Sequence, residues 1–209
     1  MLESIEFLTQ KGKTLLFPHN NRRFIAAILL ITLALVACTS KNSLDQGKQD
    51  VTPSPGEPDW FSVTMTDVPT GQPFTMSEFA RKVVLLETMA QWCPTCELQE
   101  IEVKKLHELL GNPEDLVSIS LDVDLHEDEA SLKRYAERLG YDWILAVAPL
   151  EVARALGNLY SAQYLNPPAS PMLIIDKNGN VFGLPLRLKS AESLKNTLEP
   201  YLDAIPEDK

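Results

Sequence analysis

Cys93 and Cys96 are the residues of this sequence best suited to chemistry. They are two of only three cysteines, and they stand three apart in Trp92-Cys93-Pro94-Thr95-Cys96, where an apolar run gives way to a helical pattern. Two thiols so spaced at a helix start are close enough to form a disulfide within one turn. Cys93, at the very N-terminus, would face unpaired backbone N–H groups and the positive end of the helix macrodipole. Both favour its thiolate, the form that attacks a disulfide. Pro94 suits the first helical position, where an N–H is not needed. Cys96, inside the first turn, would be the more shielded resolving thiol.

Other uses of a Cys-x-x-Cys pair fit less well. A structural zinc site needs four ligands. Besides the cysteines, only His19, His107 and His126 could help, and His19 precedes the apolar segment near the N-terminus. No metal is therefore expected. Three cysteines are also too few for a disulfide scaffold.

The elements that must position the pair can be read from periodicity. Residues 83–88 form a continuous apolar strand of the kind buried on both faces of a sheet. Residues 94–110 then take helical spacing, with Leu98, Ile101, Leu106 and Leu109 expected on the inner side, and Gly111-Asn112-Pro113 stops them. A second apolar strand covers 116–123. Leu132, Tyr135, Ala136 and Leu139 follow the spacing of a helix that ends at Gly140. A strand over 143–147 and a short helix over 150–156 come next. Residues 172–175 and 181–184 flank Asp176-Lys177-Asn178-Gly179-Asn180 as a hairpin. Ser190 is placed to cap a last helix with Leu194, Leu198, Tyr201 and Leu202 inward. Upstream, 60–67 reads as a strand before a turn at Gly71. The alternation predicts a layered α/β domain with a mixed sheet over 59–209.

The N-terminal part reads as an address. Residues 24–36 are uncharged and apolar, directly after Arg22-Arg23, and with Ala37 and Cys38 the run reaches 15 residues. A spanning helix usually needs about 20. Basic residues, a short apolar stretch and small residues at its end are the parts of a secretory signal. Leu35-Val36-Ala37-Cys38 resembles the bacterial lipobox, which implies lipid on Cys38; an uncleaved signal anchor is the alternative. Either mode puts the remainder outside the cytoplasm, where disulfides persist. Residues 39–58 are polar and rich in Pro and Ser, a flexible linker. The chain carries a formal charge of −10, and the part after residue 37 carries −12. Such a surface repels phosphate backbones, so nucleic acid is a poor partner.

The segments 61–71, Met76-Ser77-Glu78-Phe79, Lys82-Val83-Val84-Leu85-Leu86, Ala90 to Cys96 and Leu173 to Gly179 resemble the TlpA/ResA-type branch of the thioredoxin superfamily, over about 59–204. The resemblance implies a thioredoxin-like fold with a central mixed sheet flanked by helices, extra N-terminal strands and an insertion. It implies dithiol–disulfide exchange with extracytoplasmic proteins, among them apocytochromes or folding substrates, fed by a membrane or envelope electron donor. A monomer is expected, with no cofactor beyond the redox-active disulfide and the lipid on Cys38. By this resemblance Cys93 matches the nucleophile and Cys96 the resolving cysteine. Glu87 matches a buried acid that assists proton transfer, though a purely structural carboxylate fits the same place. Trp92 flanks the site.

Pro171 stands for the family's cis-proline, preceded by Ser170. Its distance to Asp176 is five residues where the family more usually has six. With a cis bond, Trp92, Pro94, Thr95, Ser170 and Pro171 would line a groove in which substrate backbone pairs as an added strand. Gln99 replaces a glutamate that some ResA-type reductases carry. Two other activities compete. A thiol peroxidase wants Thr-x-x-Cys, and Thr88 lies five from Cys93; a copper carrier of the Sco type wants Cys-x-x-x-Cys and a later histidine, and none follows His126. A non-catalytic binding module with structural thiols is the remaining alternative.

Overall fold

The computed structural model describes residues 58–206. The proposed signal, Cys38 and nearly all of the linker lie outside the described residues.

Five strands form one mixed sheet in the order β5-β4-β3-β6-β7. At its centre is β3 (Val83–Met89), every residue of which is buried. It pairs in parallel with β4 (Leu116–Asp122), which pairs in parallel with β5 (Ile144–Val147). On the other side β3 runs antiparallel to β6 (Met172–Ile175), which forms the expected hairpin with β7 (Val181–Gly183). Gly179 takes φ +84 in the connecting turn, a conformation that glycine adopts without steric penalty. The Asp176 carboxylate accepts from the Asn178 and Asn180 amides there.

Because successive side chains of a strand alternate faces, β3 feeds two cores. Val83, Leu85 and Met89 pack with α1 (Pro94–Leu110), α2 (Glu129–Leu139) and α4 (Ala191–Leu202). Val84 and Leu86 pack on the opposite side with α3 (Leu150–Leu159), Trp60 and Phe61. The short ribbon of β1 (Met65–Asp67) and β2 (Gln72–Phe74) closes that second core and supplies the extra N-terminal strands. Residues 59–62 are a 3-10 turn, so the strand expected from residue 60 begins only at Met65. Trp60 and Phe61 are buried edge to face in that turn, which takes them out of extended backbone.

The helix cap expected at Ser190 follows the sequence. Asp128 and Ser131 form a reciprocal capping box on α2, and Ser190 caps α4. The inner face of α1 does not. Cys96, Gln99, Glu100, Val103 and Leu106 are buried, whereas Leu98, Ile101 and Leu109 are exposed. Glutamine and glutamate therefore occupy core positions that apolar spacing assigned to leucine and isoleucine. Each finds a polar partner inside, described below, which offsets the desolvation that normally keeps such residues out.

Candidate active site

The strand-to-helix turn after β3 builds the site. Cys93 N–H donates to the Ala90 carbonyl, and Cys93 takes extended backbone angles as the N-cap of α1. Pro94 follows at the first helical position, as expected. The Cys96 amide donates to Cys93 Sγ at 3.2 Å, so the sulfur serves as the capping acceptor. In the reduced protein that amide and the helix dipole stabilise a thiolate at Cys93.

Cys93 and Cys96 are joined by a disulfide with Cα atoms 5.3 Å apart. Both are buried, at 1% and 0% exposure. The Pro167 carbonyl lies 3.5 Å from Cys96 Sγ, where the thiol of the reduced form donates to it. That bond favours the neutral state of Cys96, in keeping with a resolving thiol.

The turn is gripped by the β4–α2 loop. The Gln91 amide donates to Glu127, and its side chain donates to Asp122 and Ser131. The Trp92 indole N–H donates to Asp124. Trp92 is 56% exposed and is thus a surface residue beside the disulfide. Burial raises the Asp122 carboxyl to about 7, opposed by the Gln91 hydrogen bond and aided by Glu127.

Behind the disulfide lies a buried set of charges. Glu87 shares one face of β3 with Leu85 and Met89 and so points into the core that contains Cys96. It is 1% exposed, and neither carboxylate oxygen has a hydrogen-bond partner. Burial, then the nearby Glu100, pushes its pKa well above the usual carboxylate range, and Lys189 pulls it back. Glu100 is raised to about 7 by burial, while a hydrogen bond from the Tyr135 hydroxyl opposes the rise. Lys189 is buried and lowered to about 8 by desolvation, against the pull of Glu87. Gln99 pairs its side-chain amide with the backbone of Lys189, donating to the carbonyl at 3.0 Å and accepting from the N–H at 2.8 Å.

The expected peptide groove is not formed. All peptide bonds among the described residues are trans, Ser170–Pro171 included. After the 3-10 turn Pro167–Ala169, Ser170 takes left-handed angles (φ +49, ψ 57), and this reverses the chain at that point. The Ser170 N–H donates to the Pro167 carbonyl, its C=O accepts from Lys189, and the residue is fully buried, so Ser170 offers no edge to a substrate strand. Pro171 is buried and accepts from the Thr88 N–H at the start of β6. Of the five expected lining residues, only Trp92, Pro94 and Thr95 reach the surface. A different hollow adjoins Cys93, lined by Gln91, Trp92, Pro94, Glu97, Leu98 and Ile101, with a volume near 360 Å³. The Thr88 hydroxyl donates to the Tyr164 carbonyl at 2.6 Å and is not directed to a peroxidatic cysteine.

The structure brings Cys93, Cys96 and Glu87 into one core and surrounds them with Glu100, Asp122, Pro167 and Lys189, which the sequence did not single out. Glu100 and Lys189 look like solvated charges in sequence. A clue was the clash of leucine and glutamate registers on α1.

Comparison with known proteins agrees with this arrangement. A family model described as Redoxin matches residues 59–192. The thiol-disulfide oxidoreductase ResA of Geobacillus kaustophilus is 27% identical over 179 residues, covering 86% of this chain and 92% of the relative. A thiol:disulfide interchange protein of the thioredoxin family from Chlorobium tepidum superposes with a TM-score of 0.56 at 20% identity, over 72% of this chain and 97% of that one. A structure described as a protein disulfide isomerase from Bacteroides thetaiotaomicron gives 0.54 at 23% identity, over 68% and 86%. The two structures share the thioredoxin-like fold.

Proposed function

This chain belongs to the Redoxin family, and from that premise we propose that it is a protein thiol–disulfide oxidoreductase tethered to the outer side of the cytoplasmic membrane. The observation that carries the exchange reaction is the Cys93 sulfur capping α1 while bonded to Cys96.

In the reduced protein, the Cys93 thiolate attacks a partner's disulfide. A mixed disulfide forms, and the first partner sulfur leaves as a thiolate that takes a proton. Cys96 then loses its proton to the Glu87 carboxylate and attacks Cys93 Sγ. This re-forms the internal disulfide and expels the second partner sulfur, which is protonated in turn. Two electrons pass to the partner, with the Cys96 proton by way of Glu87 and one proton from solvent, and the reverse sequence oxidises a dithiol. Glu87 suits the proton step because burial has raised its affinity toward that of a thiol.

The tether rests on the short apolar run ending in Leu35-Val36-Ala37-Cys38. Among the described residues no helix is long and apolar enough to cross a membrane. A lipid on Cys38 and a linker to residue 58 would let the domain reach protein thiols and disulfides at the membrane surface, with electrons from a membrane or envelope donor.

Insulin reduction by the full-length chain, purified in detergent and supplied with dithiothreitol, tests the exchange reaction. Wild-type activity lost in Cys93→Ser supports it. A wild type no faster than dithiothreitol alone would leave only a binding module with structural thiols.

A further inference from the structure

Lys189 is the buried cation behind the disulfide, and the exchange mechanism above does not use it. It stands in the loop between β7 and α4 at 6% exposure. Its Nζ donates to the Ser170 carbonyl and to the Arg187 carbonyl, both at 2.7 Å. Its backbone is fixed to α1 by the two hydrogen bonds to Gln99, three residues after Cys96. Lys189 thus connects three parts of the site, the first through its backbone, the second through its side chain and the third by charge alone. These are the helix that carries Cys96, the strap over 166–171 that lays Pro167 against Cys96 Sγ, and the layer in which Glu87 is buried without a hydrogen-bond partner.

We propose that Lys189 is a positioning residue for the exchange reaction: it pins the strap at Ser170 and supplies the positive charge that lets Glu87 take up and return the Cys96 proton. The strand register brings Lys189 and Glu87 together: Met172, two residues after the Ser170 whose carbonyl Lys189 holds, is the antiparallel partner of Glu87. Glu87 faces Glu100 from α1, Lys189 from the β7–α4 loop, and Tyr141 from the segment before β5. Lys189 itself faces Glu87 and Arg187. Glu100 opposes ionisation of Glu87, and Lys189 is the group that favours it. Glu87, with a second carboxyl on one side and an ammonium on the other, holds its proton loosely enough to release it and take it back. With the ammonium removed, Glu87 would keep its proton to higher pH and could not serve as a base at neutrality.

The role rests on the exchange reaction proposed above, and one experiment separates the two. Single-turnover reduction of a peptide disulfide is followed against pH with the full-length chain in detergent, for wild type, Lys189→Arg, Lys189→Gln and Lys189→Met. The midpoint of the base-dependent limb should move up by about one pH unit or more in the Met and Gln variants, with Arg restoring it. Gln retains a donor for the Ser170 carbonyl without the charge, so it separates charge from hydrogen bonding. In a Glu87→Gln background, Lys189→Gln should cause no further shift. An unmoved midpoint in Lys189→Gln, or an equal shift without Glu87, overturns the proposal. A wild type unable to reduce the peptide defeats the exchange reading instead.

Discussion

At the residue scale the two sulfurs differ because their surroundings differ. Cys93 Sγ accepts an amide N–H at the helix start, while Cys96 Sγ lies against a carbonyl oxygen. One contact favours an anion and the other a thiol. In the reduced protein Cys93 should therefore alkylate faster than Cys96, with an apparent pKa inside the roughly 3.5–7.5 range of activated thiols. Cys96→Ser should trap mixed disulfides with partners, and Cys93→Ser should not; trapping by the opposite variant reverses the roles. Glu87→Gln should leave attack by Cys93 intact and slow release of the mixed disulfide by about 10²-fold at neutral pH, the lower range for a positioned acid–base group. Stopped-flow measurement of the two phases checks this, and equal slowing of both would make Glu87 structural.

At the element scale α1 sets the site and also misled the sequence reading. Its apolar residues suggested an inner face of Leu98, Ile101, Leu106 and Leu109, yet only Leu106 is buried. Stability should follow the observed register. Leu106→Ala, at 0% exposure, should cost about 2–5 kcal/mol. Leu98→Ala, at 52%, should stay within about 0.5 kcal/mol. Chemical denaturation of the two variants decides it, and similar losses would contradict this register. β3, the β6–β7 hairpin and the cap at Ser190 were legible because each is fixed by local pattern. The polar side of α1 was not, because the partners of Gln99 and Glu100 are Lys189 and Tyr135, residues 90 and 35 positions away. Short-range periodicity carries no information about such partners. The strap was misread for a similar reason. Its reversal rests on a left-handed Ser170 whose carbonyl is held by Lys189, a tertiary contact rather than a proline rule.

At the scale of the whole molecule, the buried carboxyls tie stability to pH. Glu87, Glu100 and Asp122 all have folded-state values above those of an unfolded chain, the latter two at about 7. The folded state then binds more protons than the unfolded state between about pH 4 and 7, so stability falls as pH rises through that window. The domain should melt at higher temperature at pH 5 than at pH 8. Asp122→Asn should flatten part of that slope, with about 2–4 °C in Tm for each kcal/mol recovered. Calorimetry at both pH values tests it, and a slope of opposite sign would refute the burial account. The tether is tested by Cys38→Ser. That change should release or misprocess the chain in cell fractionation, whereas unchanged membrane retention and gel mobility would favour an uncleaved anchor.

The strap also makes the disulfide an insulated contact. Pro167 is laid on Cys96 and both sulfurs are shielded from solvent, so a thiol that approaches Cys96 would have to wait for a local opening. If the strap is open about 1% of the time, stray small thiols react roughly a hundredfold more slowly than with a bare disulfide. A docked partner that prefers the open strap regains that factor by its own binding energy. Uptake of electrons from the surrounding thiol pool would then be suppressed without loss of speed toward the intended partner, so selectivity would reside in the opening equilibrium as much as in the reactivity of sulfur.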